Sequence, residues 1–156
     1  MKKENTVSCT AYLFYEQNED GSRNVDGIIG IQPTYQTKEA ACADVAIPYS
    51  AIIPPHKAMK FDLWVGFEIP EDYKIIMYPR SSLLIKKGLI QPVSIIDSDY
   101  SGQHVHIPFV NITDEPVELD KGERVAQIEC VPAYDCVDWS RIEKERDGGF
   151  GSTGAK

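Results

Sequence analysis

Tyr73-Lys-Ile-Ile-Met-Tyr-Pro79 is a short apolar run that stops at Arg80. Ser81-Ser-Leu-Leu-Ile-Lys-Lys87 follows, closed by Gly88, and a second run, Ser94-Ile-Ile96, leads into the turn Asp99-Tyr-Ser-Gly102. Short apolar or alternating runs bounded by turn residues read as strands. The segment between them reads as a helical turn or two, with serine ahead of Leu-Leu-Ile-Lys-Lys and glycine as its stop. Working outward, the same grammar recurs at 6–15, 43–49, 59–67, 104–111 and 124–131. Between the runs lie Asn18-Glu-Asp-Gly-Ser22, Pro54-Pro55, Pro70-Glu-Asp72, Asp114-Glu-Pro116 and Asp120-Lys-Gly122. Many short strands with close turn signals predict an all-β sandwich, barrel or jelly roll carrying one short helix.

The 156 residues suffice for one core and are too few for two. Apolar residues at 42% and charged residues at 26% give the balance of a globular protein. No apolar run reaches the ~18 residues of a membrane span, and the basic start leads into no apolar h-region, so the expected address is cytoplasmic, with no membrane partner. A net charge of −8 argues against a nucleic-acid binder. It leaves room for a small phosphorylated ligand, which needs only a few local cations, N–H groups or a metal. The cysteines, Cys9, Cys42, Cys130 and Cys136, form no CxxC pair and have no histidine at zinc-ligand spacing, so reduced and mostly buried thiols are expected.

From about Arg141 the composition changes. Arg141-Ile-Glu-Lys-Glu-Arg-Asp147 is charged, and four glycines fall within residues 148–154. Residues 141–156 are therefore expected to form a mobile arm with little to bury, and Phe150 is the one large ring on it. Residues 1–140 are expected to form the β domain, with a hairpin at about 1–32.

Five segments carry a resemblance. Pro33-Thr-Tyr-Gln-Thr37 with Ala40-Ala-Cys-Ala-Asp-Val45, Pro79-Arg-Ser-Ser-Leu83, Ile95-Ile-Asp-Ser-Asp-Tyr-Ser-Gly102, Gly122-Glu-Arg-Val-Ala-Gln-Ile128 and Gly148-Gly-Phe-Gly-Ser-Thr-Gly154 resemble, in order, the five motifs of trimeric dUTPases. They cover about three quarters of the chain; the first ~30 residues lie outside that support. The resemblance implies a jelly-roll-like β-barrel and a homotrimer with shared active sites. Each site would take motifs one, two and four around one subunit, the third from a neighbour and the tail from the remaining copy. It implies hydrolysis of dUTP to dUMP and pyrophosphate with Mg²⁺.

Cleaving a phosphoanhydride needs an activated water, charge neutralisation and in-line positioning. Asp97 ends an apolar pair and precedes a turn, where an aspartate also serves simply to start the turn; the resemblance makes it the base that activates water. It likewise places the Tyr100 ring beneath the deoxyribose, excluding a 2′-hydroxyl, and assigns uracil recognition to main-chain groups of Ile95, Ile96 and Val105 in a hairpin over residues 94–106. Arg80, Ser81 and Ser82, with the N–H groups of the helix start, make a phosphate cradle. Gln127 interrupts an apolar strand, and buried amides need partners; the resemblance sets it against the cradle and the phosphates. Asp44 is implied to help hold Mg²⁺ through water, which that ion retains readily. The tail lacks a Walker pattern; Phe150 would cover uracil while Gly151, Ser152 and Thr153 wrap the triphosphate as a closing lid.

Gln91 stands where the family usually has a nucleotide-touching asparagine, Ser94 replaces a usual glycine, and Arg146 lies one residue nearer Phe150 than the family's γ-phosphate arginine. Rival readings are a dUTPase-scaffold binding or regulatory protein with weak turnover, and a dCTP deaminase. The deaminase needs a glutamate where this chain has Ile107. His104 and His106 fall on one side of a strand and could pair on a metal, with no third ligand apparent.

Overall fold

The computed structural model describes residues 9–133 and Gly148. Among these residues the chain forms β1 (Thr10–Leu13), β2 (Tyr15–Gln17), β3 (Arg23–Ile28), β4 (Ala43–Ala46), β5 (Ala51–Ile53), β6 (Ala58–Asp62), β7 (Val65–Glu68) and β8 (Tyr73–Pro79). The one α-helix, α1 (Ser81–Lys87), is followed by β9 (Leu89–Ile90), β10 (Ser94–Asp97), a 3₁₀ turn (Ser98–Tyr100), β11 (His106–Asn111), β12 (Val117–Leu119) and β13 (Arg124–Pro132). The strands divide into a four-stranded sheet ordered β10-β8-β13-β4, a three-stranded sheet β6-β11-β9, and the pairs β1-β7, β5-β12 and β2-β3. This is the all-β, jelly-roll-like architecture expected, built from several small antiparallel sheets rather than one closed ladder.

Alternation explains why the sheets enclose a core. On β8, Ile75 and Met77 are buried between less buried neighbours, and on the facing β13 Val125, Ala126 and Ile128 are buried. With Ile47, Ile53, Leu63, Ile107, Phe109 and Leu119 they form one continuous apolar interior. Burying a side chain of this size contributes about 1.5–3 kcal/mol.

The helix has the bounds its sequence predicts. Its start is Arg80 in an extended conformation without a side-chain cap. Its end is Gly88 at φ 63°, whose N–H bonds back to the carbonyls of Leu83 and Leu84. A left-handed residue of this kind favours glycine. Lys87 then ties the helix to the β12–β13 turn, its Nζ lying 2.8 Å from Glu123 and 2.7 Å from the Glu118 carbonyl.

Two expected strands are broken. The run 59–67 is divided between β6 and β7, because the Asp62 carboxylate accepts the Trp64 N–H at 2.7 Å and Trp64 turns to φ 51°. Within 6–15, Phe14 separates β1 from β2 and donates its N–H to the Trp64 carbonyl at 2.9 Å. Both breaks let the chain leave one sheet for another. The cysteines also differ from expectation: Cys9 and Cys42 are half-buried and Cys130 is exposed, all as free thiols. Burial, with Cys130 beside it, pushes the Cys9 thiol up to about 12, which leaves it unreactive near neutrality. Cys136 lies outside the described residues.

Candidate functional site

The strand β13 brings three expected residues together. Its register sets Gln127 opposite Asp44 of β4 on one side and Tyr78 of β8 on the other. From there the Gln127 amide donates to the Pro79 carbonyl at 3.1 Å, fixing the backbone just before Arg80. Arg80 donates to the Arg124 carbonyl at 3.1 Å, and its guanidinium lies 3.8 Å from Asp44 Oδ2. Arg124 approaches the same oxygen at 3.1 Å. One carboxylate thus aligns two guanidinium groups, whose planar forks match phosphate oxygens.

Beside this pair opens a cleft of about 380 Å³ lined by Arg80, Ser82, Lys86, Lys87, Glu123 and Arg124. Four cations line it against Glu123 and the adjacent Asp44, leaving a net positive wall on a chain of net charge −8. Sequence reasoning singled out Arg80, Ser81 and Ser82 here but missed Lys86, Lys87 and Arg124. Arg124 stood inside a quoted motif, and the two lysines close the helix that the serines open.

Gln91 is the second notable group. It is 6% exposed, and neither its amide nitrogen nor its amide oxygen finds a partner among the described residues. It lines a hollow with Pro79, Arg80, Ser81 and Leu83. The other buried amide, Asn111, is fully engaged: it donates to the Ile53 and Glu115 carbonyls and accepts from Thr113. An unmatched buried amide costs about 1–3 kcal/mol, so the contrast marks Gln91 as a group whose partner lies beyond the described residues.

Asp97 lies elsewhere. It is exposed at the end of β10, in register with Lys74 at the start of β8, whereas Arg80 follows the other end of that strand. Six residue steps from Lys74 to Arg80 at about 3.3 Å each set the two roughly 20 Å apart. Tyr100, on the 3₁₀ turn, is only 8% exposed, and its hydroxyl donates to the His104 carbonyl at 2.9 Å.

Residues 94–106 do not form the paired hairpin expected of them. β10 pairs with β8 and β11 with β6 and β9, so the outer edge of β10, bearing Ile95 and Ile96, has no partner strand among the described residues. Val105 is expected to present main-chain groups to the base. It is 1% exposed, its N–H donates to Val65 and its carbonyl accepts from Leu63. The two histidines do not gather a metal. His104 Nδ1 lies 2.7 Å from Asp62, and His106 Nδ1 bonds the His104 carbonyl at 3.0 Å. No group of three potential ligands occurs among the described residues. Ile107 is fully buried, a core position with no place for a deaminase's acid. Arg146, Phe150, Gly151, Ser152 and Thr153, with the expected arm, lie outside the described residues. Among the described residues no helix is long and apolar enough to cross a membrane.

Comparison with known proteins is consistent with this geometry. The dUTPase family model matches residues 30–154. The deoxyuridine 5'-triphosphate nucleotidohydrolase of Hydrogenobaculum sp. is 34% identical over 131 residues, covering 80% of this chain and 90% of that one. The enzyme of the same name from Nautilia profundicola is 36% identical over 129 residues, with 78% and 89% covered. Among solved structures, a mutant dUTPase from phage phi11 of S. aureus, which coordinates a structural Mg(II) ion, superposes with a TM-score of 0.70 at 18% identity, covering 88% of this chain and 98% of that one. A mutant dUTPase of Staphylococcus bacteriophage 80alpha with bound dUpNHpp gives 0.70 at 19% identity, covering 89% and 98%.

Proposed function

The chain belongs to the dUTPase family and hydrolyses dUTP to dUMP and pyrophosphate; from that premise we propose that it does so at sites shared between copies of a homotrimer. The observation that carries the shared site is the separation of Asp97 from the Arg80 cradle across the length of β8. Asp97 serves as base and the arginines hold phosphate oxygens, and their separation along one chain supports drawing them to one α–β anhydride from different copies.

In the assembled site, Arg80 and Arg124 orient the triphosphate, with Ser82 and Lys86 along the same wall and Ser81 beside Arg80 on the Gln91 side. Asp97 from a neighbouring chain accepts the proton of the attacking water, whose oxygen ends on one phosphoryl group as the α–β anhydride breaks. The outer edge of β10, through Ile95 and Ile96, reads uracil, and Tyr100 lies beneath the deoxyribose. Gln127 holds the cradle's backbone, and Arg146, Phe150, Gly151, Ser152 and Thr153 close over the nucleotide. Asp44 fits a water-mediated hold on Mg²⁺, because its carboxylate already anchors both arginines beside the phosphate wall and cannot by itself fill an octahedral shell. When bound, Mg²⁺ supplies charge neutralisation on the phosphate oxygens. The three free thiols among the described residues support a cytoplasmic address.

The test is pyrophosphate release from dUTP, UTP, dTTP and dCTP, with and without Mg²⁺. The expected result is Mg²⁺-dependent release from dUTP alone. Tight dUTP binding without release would overturn the catalytic reading in favour of a binding protein.

Gln91 provides an independent check. Replacing it with methionine removes two unmatched buried polar atoms at similar volume, so Gln91→Met is expected to raise the melting temperature, by about 1 kcal/mol of stability. The same change deletes a contact to the nucleotide and should raise KM for dUTP roughly 2- to 10-fold. Lower stability with unchanged KM would place the amide's partner within the protein.

A further inference from the structure

We propose that Phe14, which lies before the stretch matched by the family model, is a positioning residue for sugar discrimination. It acts through His104 on the Tyr100 ring. The inference rests on the reading of Tyr100 as the surface beneath the deoxyribose.

The chain of contacts is short. The Phe14 ring stacks on the His104 imidazole with centroids 3.6 Å apart and planes 27° from parallel. Trp64 meets the same imidazole edge-on at 5.2 Å, and Asp62 holds its Nδ1 at 2.7 Å. The His104 carbonyl in turn accepts the Tyr100 hydroxyl at 2.9 Å. Tyr100 therefore takes its position from a residue whose side chain is clamped by Phe14, Trp64 and Asp62. Two of these belong to the stretch the family model matches, and Phe14 is added by the amino-terminal strands.

The backbone is arranged to admit that ring. A Cβ on Gly66 would stand 2.7 Å from the Gln103 carbonyl and 3.0 Å from the Phe14 ring. Gln103 lies in the same turn, its N–H directed to the Tyr100 carbonyl. Only glycine at 66 lets β7, the Phe14 ring and the turn approach so closely. Phe14 is fixed from its own side as well, donating to the Trp64 carbonyl and accepting from Ile29 and Gly30. The amino-terminal strands thus do more than cover the barrel: they set the turn that carries Tyr100.

A 2′-hydroxyl is excluded only if the ring beneath the sugar stays in place, and displacements near 1 Å at a reacting site cost up to about 100-fold. Removing the clamp should then lower discrimination more than turnover. The measurement is kcat/KM for dUTP and UTP in the full chain, for the wild type, Phe14→Ala, Phe14→Leu, Phe14→Tyr and Tyr100→Leu, with melting curves for each. Phe14→Ala is expected to reduce the dUTP/UTP ratio about tenfold, with kcat for dUTP changing less. Phe14→Tyr, which keeps the stack, should restore the ratio. Phe14→Leu keeps apolar volume without a planar face and carries the same expectation should the alanine variant fail to fold. A lowered melting temperature with an unchanged ratio would make Phe14 merely structural and overturn the inference, provided Tyr100→Leu does lower the ratio. An unchanged ratio in Tyr100→Leu would overturn the reading of Tyr100, and this inference with it.

Discussion

Asp97→Asn is expected to lower kcat for dUTP by about 10²- to 10⁴-fold, the usual contribution of a positioned general base, while leaving the fold intact. Asp97 is exposed at the end of β10, outside the apolar interior, and asparagine is nearly isosteric with it. The strand pairing to Lys74 uses main-chain groups that the substitution does not touch. What the change removes is the capacity to take a proton from water. Binding of dUTP should therefore stay within a few-fold of wild type, because the arginines and the β10 edge proposed to hold the nucleotide remain. Turnover by pyrophosphate release, affinity by calorimetry and a melting curve on one preparation separate the three quantities. Near-normal turnover would remove Asp97 from the base's role. Lost binding alongside lost turnover would mean that its carboxylate holds substrate or structure instead.

How much of this was legible in the sequence depends on the range of the interactions involved. The helix Ser81–Lys87 was readable because its signals are local: a glycine stop, lysines in the last turn and one buried leucine. The long strands β8, β11 and β13 were readable from apolar patterning. The short strands β5, β9 and β12 were not, since two or three residues carry no periodicity. The division of 59–67 was hidden because it depends on a side chain, Asp62, bonding to a backbone group two residues on. In the site, motif residues identified Arg80, Gln127 and Asp44, yet their mutual arrangement came from strand register. The partners of Val105 were hidden for a similar reason. Its main-chain groups are taken by Leu63 and Val65, some forty residues away in sequence, and local pattern has no access to such a contact.

Mixing two inactive variants should restore activity. Arg80→Ala removes the cation at the head of the phosphate cleft, and Asp97→Asn removes the base, so each homotrimer should turn over poorly. The two residues sit at opposite ends of β8, roughly 20 Å apart by strand rise, and a shared site would draw them from different copies. When the variants are unfolded together in equal amounts and reassembled, a site receives its Arg80 from one chain and its Asp97 from another. Half of the chains offer an intact Arg80 and half an intact Asp97, so about a quarter of the sites regain both under random assembly. Specific activity should rise toward about a quarter of wild type, against a background set by either variant alone. If each site were built within one chain, every site in the mixture would still lack one of the two groups, and activity would stay at that background. Sedimentation on the mixed sample distinguishes this second case from a failure to reassemble. A mixed trimer without recovered activity would overturn the shared site.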